Sequence, residues 1–225
     1  MNNLSQSVLS QPMTDYLISP TETPEIDRTA PPLKLGVMAS GTGSNFEAIA
    51  EAIATGQLHA QIRVVIYNNP AAGVATRAAK RGIPAILLNH REFSSREALD
   101  QTIVQTLKDH DVDWVIMAGW MRLVTPILIN AFPDRVLNIH PSLLPSFKGV
   151  HAVEQALAAG VKFTGCTVHL VVPEVDSGPI LIQAVVPVLP EDTPESLQAR
   201  IQVQEHQIFP RAIAIAAQRL GSEIN

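Results

Sequence analysis

Leu33-Lys34-Leu35-Gly36-Val37-Met38-Ala39-Ser40-Gly41-Thr42-Gly43-Ser44-Asn45-Phe46 is the stretch that decides the fold. A short apolar run ends in a glycine turn, and a helical period begins directly after it. Phe46, Ile49, Ala50 and Ile53 fall at i, i+3, i+4 and i+7, one face of a helix closed by Gly56. A strand that feeds a helix in this way is the opening unit of a parallel α/β sheet. Glycines at such a turn let backbone N–H groups approach an anion, and the helix N-terminus adds partial positive charge. The same turn also serves simply to connect strand to helix. Two nucleotide motifs are excluded. No Gly-Lys-Ser/Thr follows, and Phe46 stands where a dinucleotide fingerprint carries its third glycine.

The alternation continues toward the C-terminus. Residues 62–67 are β-branched and strand-like, residues 74–81 are helical between Gly73 and Gly82, and residues 85–88 form a short strand. Ser94 with Glu97 predicts a capping box for a helix through Asp109. Residues 114–118 read as a buried strand, and Thr125-Pro126 as an N-cap with proline at N1. A strand over 135–139 and a helix over 153–159, closed by Gly160, follow. Residues 167–172 and 180–188 are both strand-like, and the seven residues between them are too few for a crossover helix. They are therefore expected to pair antiparallel. A long amphipathic helix starts near Thr193-Pro194 and runs toward Gly221, with a bend expected at Pro210. The predicted fold is α/β: a single Rossmann-like, open, mostly parallel sheet with helices on both faces and an antiparallel edge near the C-terminus.

The 225 residues suit one generous domain, or one domain and a tail. Residues 1–32 hold five prolines and no sustained apolar period, and set Asp15, Glu22, Glu25 and Asp27 against Arg28. They lack both the basic start and apolar stretch of a secretory signal and the arginine richness of a transit peptide. They are expected to be a disordered or loosely attached extension, with 33–221 as the catalytic domain and 222–225 as a tail. Sixteen basic against twenty-one acidic residues leave a net charge of −5, which argues against nucleic acid or an anionic membrane as partner. Most of that charge, −3, lies in the extension, so it says little about the domain itself. No apolar run approaches the roughly 18 residues of a spanning helix. The single cysteine, Cys166, excludes an internal disulfide and a four-thiolate metal site. The expectation is a soluble cytoplasmic protein, either monomer or homodimer, with no nucleic-acid or membrane partner.

Val136-Leu137-Asn138-Ile139-His140-Pro141 carries the most chemistry. Alternate residues of a strand share a face, so Asn138 and His140 point one way while Leu137 and Ile139 point into packing. Both polar residues lie at the C-terminal end of an inner strand, where open α/β sheets bind ligands. An imidazole there can move a proton, and an amide N–H can stabilise an oxyanion. That pair suits acyl transfer without a covalent enzyme intermediate. The alternative reading is that both side chains satisfy backbone groups of the following loop. Asp176, in Val175-Asp176-Ser177-Gly178-Pro179, is either turn chemistry or a carboxylate that faces His140 and favours its charged form. No His-Glu-x-x-His or Gly-x-Ser-x-Gly string occurs, and Cys166 reads as a buried thiol. No metal is expected.

Four strings in this order resemble the folate-dependent formyltransferases: Gly41-Thr42-Gly43-Ser44-Asn45, Ala118-Gly119-Trp120-Met121-Arg122, Asn138-Ile139-His140-Pro141-Ser142-Leu143-Leu144-Pro145, and Asp176-Ser177-Gly178-Pro179. The resemblance covers essentially residues 33–221, and the third and fourth strings are the most specific. Within the family the pattern is most similar to the members of purine synthesis. The resemblance implies transfer of the formyl group of 10-formyltetrahydrofolate to the amine of phosphoribosylglycinamide, without a metal. It implies catalytic roles for Asn138, His140 and Asp176. It places the acceptor's phosphate on Gly43, Ser44 and Asn45, and its ribose hydroxyls on Glu205. The folate would bind near Arg96, Met121, Arg122, Leu123, Val124 and Asn138, its pteridine against the Asp176 loop backbone. Thr42, Leu170 and Pro173 depart from the family pattern, where asparagine, an aromatic and an acid are common; this bears on local packing rather than on the catalytic trio.

Three rivals remain at this point. A methionyl-tRNA formyltransferase usually carries a further C-terminal domain, which the four residues after Gly221 do not supply. A formyltetrahydrofolate hydrolase usually has a regulatory domain ahead of the core, for which 32 proline-rich residues are too few. A non-catalytic phosphate- or folate-binding module would be free to lose the Asn138, His140 and Asp176 set.

Overall fold

A computed structural model describes residues 17–24 and 28–223. Among the described residues one sheet contains β1 (Ile18–Ser19), β2 (Leu33–Ala39), β3 (Ala60–Tyr67), β4 (Ala85–Leu87), β5 (Trp114–Met117), β6 (Val136–His140), β7 (Phe163–Leu170) and β8 (Ile180–Pro187). The helices are α1 (Ser44–Ala54), α2 (Val74–Lys80), α3 (Arg96–Asp109), α4 (Pro126–Ala131), α5 (Ala152–Ala158) and α6 (Pro194–Glu223). Strand order is β1-β8-β7-β6-β5-β2-β3-β4. From β6 through β4 every pairing is parallel, whereas β6–β7, β7–β8 and β8–β1 are antiparallel. This is the predicted class, with the expected β7–β8 pair present.

Three local expectations shift. Strand β7 begins at Phe163 rather than at 167, because Thr164, Gly165 and Cys166 pair with β8 although their side chains carry no continuous apolar pattern. Ser95, not Ser94, caps α3, its hydroxyl accepting the Ala98 N–H at 3.0 Å. Helix α6 runs on through Pro210 to Glu223. No helix among the described residues is long and apolar enough to cross a membrane.

The strand period divides the core into two layers. Leu35, Val37, Ile116, Leu137, Ile139, Val168 and Ile182 lie in a cluster with residues of α1, α2, α5 and α6. Met38, Val64, Ile66, Val115 and Met117 alternate onto the other face and pack with residues of α3 and α4. Leu137, fully buried next to Asn138, anchors β6 in the first layer; truncating it to alanine is expected to cost roughly 2–5 kcal/mol by urea unfolding. On the second face, β6, β7 and β8 present polar residues instead. Their register sets Asn138 opposite His169, His140 opposite Thr167, and Thr167 opposite Gln183.

Part of the N-terminal extension lies against the domain. In β1, Ile18 pairs with Ala184 and Ser19 with Gln183 on the edge of β8. Arg211 of α6 donates to the carbonyls of Pro20 and Thr21 at 3.0 and 2.6 Å and to the Thr23 hydroxyl at 2.8 Å. Arg28 donates to the Gly56 carbonyl, and the His59 ring bonds the Ala30 carbonyl. Residues 1–16, 25–27 and 224–225 lie outside the described residues. Removing the guanidinium by Arg211→Ala is expected to raise amide exchange and protease cleavage within 17–24 while the urea midpoint of the domain changes little. Unaltered protection of that stretch would contradict the clamp.

Candidate active site

Antiparallel register places Asn138, His140, Thr167 and His169 on one face, and the Asp176 loop folds over it. His140 is buried, with Nδ1 3.3 Å from Asp176 Oδ2 and Nε2 2.8 Å from the Phe147 carbonyl. Both neighbours are acceptors, so the ring satisfies them together only when both nitrogens carry a proton. Asp176 Oδ2 also accepts the Gly149 N–H at 2.8 Å, and Oδ1 lies 3.5 Å from His169 Nε2. Burial works to raise the Asp176 carboxyl, but the His169 hydrogen bond, the Gly149 amide and the two imidazole charges outweigh it. The carboxyl is held below its ordinary range. Phe147, His151 and Asp176 all adopt left-handed backbone at φ 56, 60 and 48°, a concentration of strain around the same two loops.

His169 is the site residue that sequence reasoning missed. Its Nδ1 lies 2.8 Å from the Leu170 carbonyl, so that nitrogen carries a proton. Its Nε2 lies 3.2 Å from Asn138 Nδ2 and accepts from that amide in the neutral ring. When charged, the same nitrogen donates to Asp176 instead. The Thr167/His169 alternation in β7 was a visible signal, but its meaning required the β6–β7 pairing.

Behind His140 the turn is fastened by side chains from the neighbouring strands. Ser142 Oγ donates to the Ser146 carbonyl at 2.6 Å, and Thr167 Oγ donates to the Ser142 carbonyl at 2.7 Å. Gln183 donates to the Leu144 carbonyl at 2.9 Å. Lys148 ties the two loops together by donating to the Ser177 hydroxyl at 2.6 Å. Gly178 must lack a side chain, since a Cβ there would lie 1.8 Å from the Leu170 carbonyl oxygen. The Asp-x-Gly string therefore lets the loop return onto the end of β7.

The glycine loop stands at the point where the sheet changes direction. The chain leaves β2 toward β3 on one side, and β5 returns on the other, so the loops after β2 and β5 meet where the strand order reverses, the usual ligand position of open α/β sheets. Gly43 has φ 78°, and a Cβ there would lie 2.7 Å from Val74 Cβ and 2.9 Å from its Cα. No side chain caps the start of α1, which leaves its first N–H groups without a capping partner. Asn45 donates to Glu205 Oε2 at 2.9 Å, and Gln202 donates to the Ser44 hydroxyl at 2.8 Å. Ser44, Asn45 and Glu205 are thus brought together beside Gly43. Burial raises the Glu205 carboxyl, partly offset by Asn45. Arg77 holds the Thr42 carbonyl at 2.9 Å. Burial, and then the charge of Arg77, lower the nearby His206 imidazole.

Met121 and Leu123 project from the β5–α4 connection, 81% and 54% exposed, with Arg122 and Val124 half-buried beside them. Arg96 is exposed at the first residue of α3. Cys166 is fully buried, and burial together with Glu205 pushes its thiol up, away from nucleophilic use. A groove lined by Ile53, Ile62, Arg63, Arg81 and His110 shares no residue with this site.

A family model described as formyl transferase matches residues 33–213. A phosphoribosylglycinamide formyltransferase from Bacillus halodurans is 42% identical, with a TM-score of 0.78 over 80% of this chain and 93% of that one. A glycinamide ribonucleotide transformylase 1 from Symbiobacterium toebii is also 42% identical, with a TM-score of 0.83 over 88% of this chain and 93% of the other. The human trifunctional purine biosynthetic protein adenosine-3 is 42% identical over 184 residues, which are 82% of this chain. The chain spans only 18% of that protein, and 14% of its Drosophila melanogaster counterpart.

Two outcomes follow from the geometry. Gly43→Ala forces a side chain against Val74 at a left-handed position, so isothermal titration with inorganic phosphate or a phosphorylated ligand is expected to show binding weakened at least about ten-fold. Undiminished binding would contradict the loop assignment. Because Asp176 is held below its ordinary value, its contacts contribute fully above about pH 4 and are lost as pH falls through its folded value. The stability gap between wild type and Asp176→Asn, roughly 1–3 kcal/mol by urea unfolding at pH 7, is expected to close on acidification below that range. A pH-independent gap would contradict it.

Proposed function

Because the chain belongs to the formyl transferase family, we propose that it moves the formyl group of 10-formyltetrahydrofolate to the amine of phosphoribosylglycinamide, a cytoplasmic step of purine synthesis. The observation that carries this reading is the Asp176 carboxylate within 3.5 Å of both His140 and His169, on the face that also holds Asn138. The phosphate loop and Glu205 supply a site for a phosphoribosyl acceptor. Met121 and Leu123 supply an apolar surface for a planar donor.

In this reading the acceptor amine attacks the formyl carbon and its carbonyl oxygen becomes an oxyanion. The Asn138 amide N–H and a protonated His140 stabilise that charge. Asp176 keeps the imidazole oriented and charged. The Nε2–H that now serves the Phe147 carbonyl is the donor available to the formyl oxygen. As the bond from the formyl carbon to folate N10 breaks, the proton lost by the attacking amine is delivered to N10, and His140 is placed to relay it. The products are the formamide and tetrahydrofolate, with charge and atoms balanced.

Loss of the folate formyl group is expected only when phosphoribosylglycinamide is present. His140→Ala and Asp176→Asn, folded by circular dichroism, are expected to slow single-turnover transfer by about 10²–10⁴-fold. Near wild-type rates in both would sink the assignment. Formyl release without the amine would point to hydrolysis, and saturable binding of both ligands without turnover would point to a binding module.

A further inference from the structure

The connection from β5 to α4 combines large exposed apolar side chains with attachment at both ends. At its start, the Ser40 N–H donates to the Gly119 carbonyl at 3.0 Å and the Ser40 hydroxyl accepts the Met121 N–H at 2.9 Å. At its end, the backbone N–H of Thr125 donates to Asp100 Oδ2. The Thr125 hydroxyl accepts the Ile127 N–H at 3.3 Å, so it starts α4. Met121 and Leu123 therefore stand on a span fastened between Ser40 and Asp100.

Asp100 is an unusual occupant of its position. It is 1% exposed, in the row of α3 that buries Leu99, Ile103 and Leu107. A carboxylate there must be withdrawn from water, which an apolar residue of similar size would avoid. What the carboxylate provides is a charged acceptor for the Thr125 N–H. It also sits one helical turn after Arg96, which couples the span to the start of α3.

We propose that Asp100 is a positioning residue for the donor subsite, pinning Thr125 so that Met121 and Leu123 form a preformed surface for the folate ring system. The proposal rests on the functional reading above. A preformed surface spares the ordering cost that a free loop would incur on binding. Loss of the pin should therefore weaken the donor selectively and leave the phosphoribosyl acceptor, held by the glycine loop, unaffected.

The test uses full-length Asp100→Ala, Asp100→Asn and Thr125→Val. In ligand-free protein, amide exchange over 119–125 is expected to rise in Asp100→Ala. Tetrahydrofolate, followed by isothermal titration, is expected to bind about ten-fold more weakly. Phosphoribosylglycinamide affinity is expected to stay within about two-fold. Asp100→Asn keeps an acceptor for the Thr125 N–H and should fall between wild type and alanine. Unchanged exchange in folded Asp100→Ala, or equal weakening of both ligands, would overturn the proposal. If the alanine variant does not fold, wild-type exchange and tetrahydrofolate affinity in both remaining variants would overturn it. Failure of the wild type itself to bind tetrahydrofolate would defeat the functional reading, while exchange over 119–125 would still decide whether Asp100 fastens the span.

Discussion

The antiparallel pairing of β6 with β7 is the constraint on which the site depends. The connection from β6 to β7 carries α5 onto the first core layer and leaves the opposite face of β6 to be covered by loops. The antiparallel register brings Asn138 against His169 and His140 against Thr167. Because the strand period is two, the same geometry sends Leu137, Ile139 and Val168 into the helix-covered core. A one-residue slip would bury the histidines in the apolar layer and expose that core. Packing and chemistry therefore demand the same register.

A face carrying so many polar groups is stable only if they find partners. Thr167 and Gln183 hold the turn after β6, the Asp176 carboxylate accepts from Gly149 and faces both imidazoles, and Lys148 joins the two loops. Left unpaired, each buried group would cost on the order of 1–3 kcal/mol. The network thus supports the fold and fixes His140, His169 and Asp176 at once. The left-handed backbone at Phe147, His151 and Asp176 is the conformational cost of closing these loops over the histidine.

Much of this was legible in the chain. The strand-glycine-helix opening, the alternation through residue 160 and the short link before residue 180 implied the sheet and its antiparallel edge. Asn138 and His140 were visible as a pair because two positions in one strand share a face without any tertiary information. Asp176 was only half legible: turn chemistry explained it equally well until the loop was seen folded over His140. His169 was illegible, since its role exists only across a strand pair that no local pattern specifies. The start of β7 was hidden by Thr164 and Gly165, whose place in the strand is set by pairing with β8. The docking of Ile18–Ser19 and the Arg211 clamp depend likewise on contacts about 165–190 residues apart in sequence, beyond the reach of composition.

Direct transfer between two small molecules across the face shared by β6 and β7 is the step proposed for this site. A rapid-quench single turnover with isotopically labelled formyl donor tests it most directly. The prediction is that label reaches the acceptor amine at the rate the donor loses it, with none attached to protein at any time point. Label trapped on the protein, or released as formate while acceptor is bound, would contradict it.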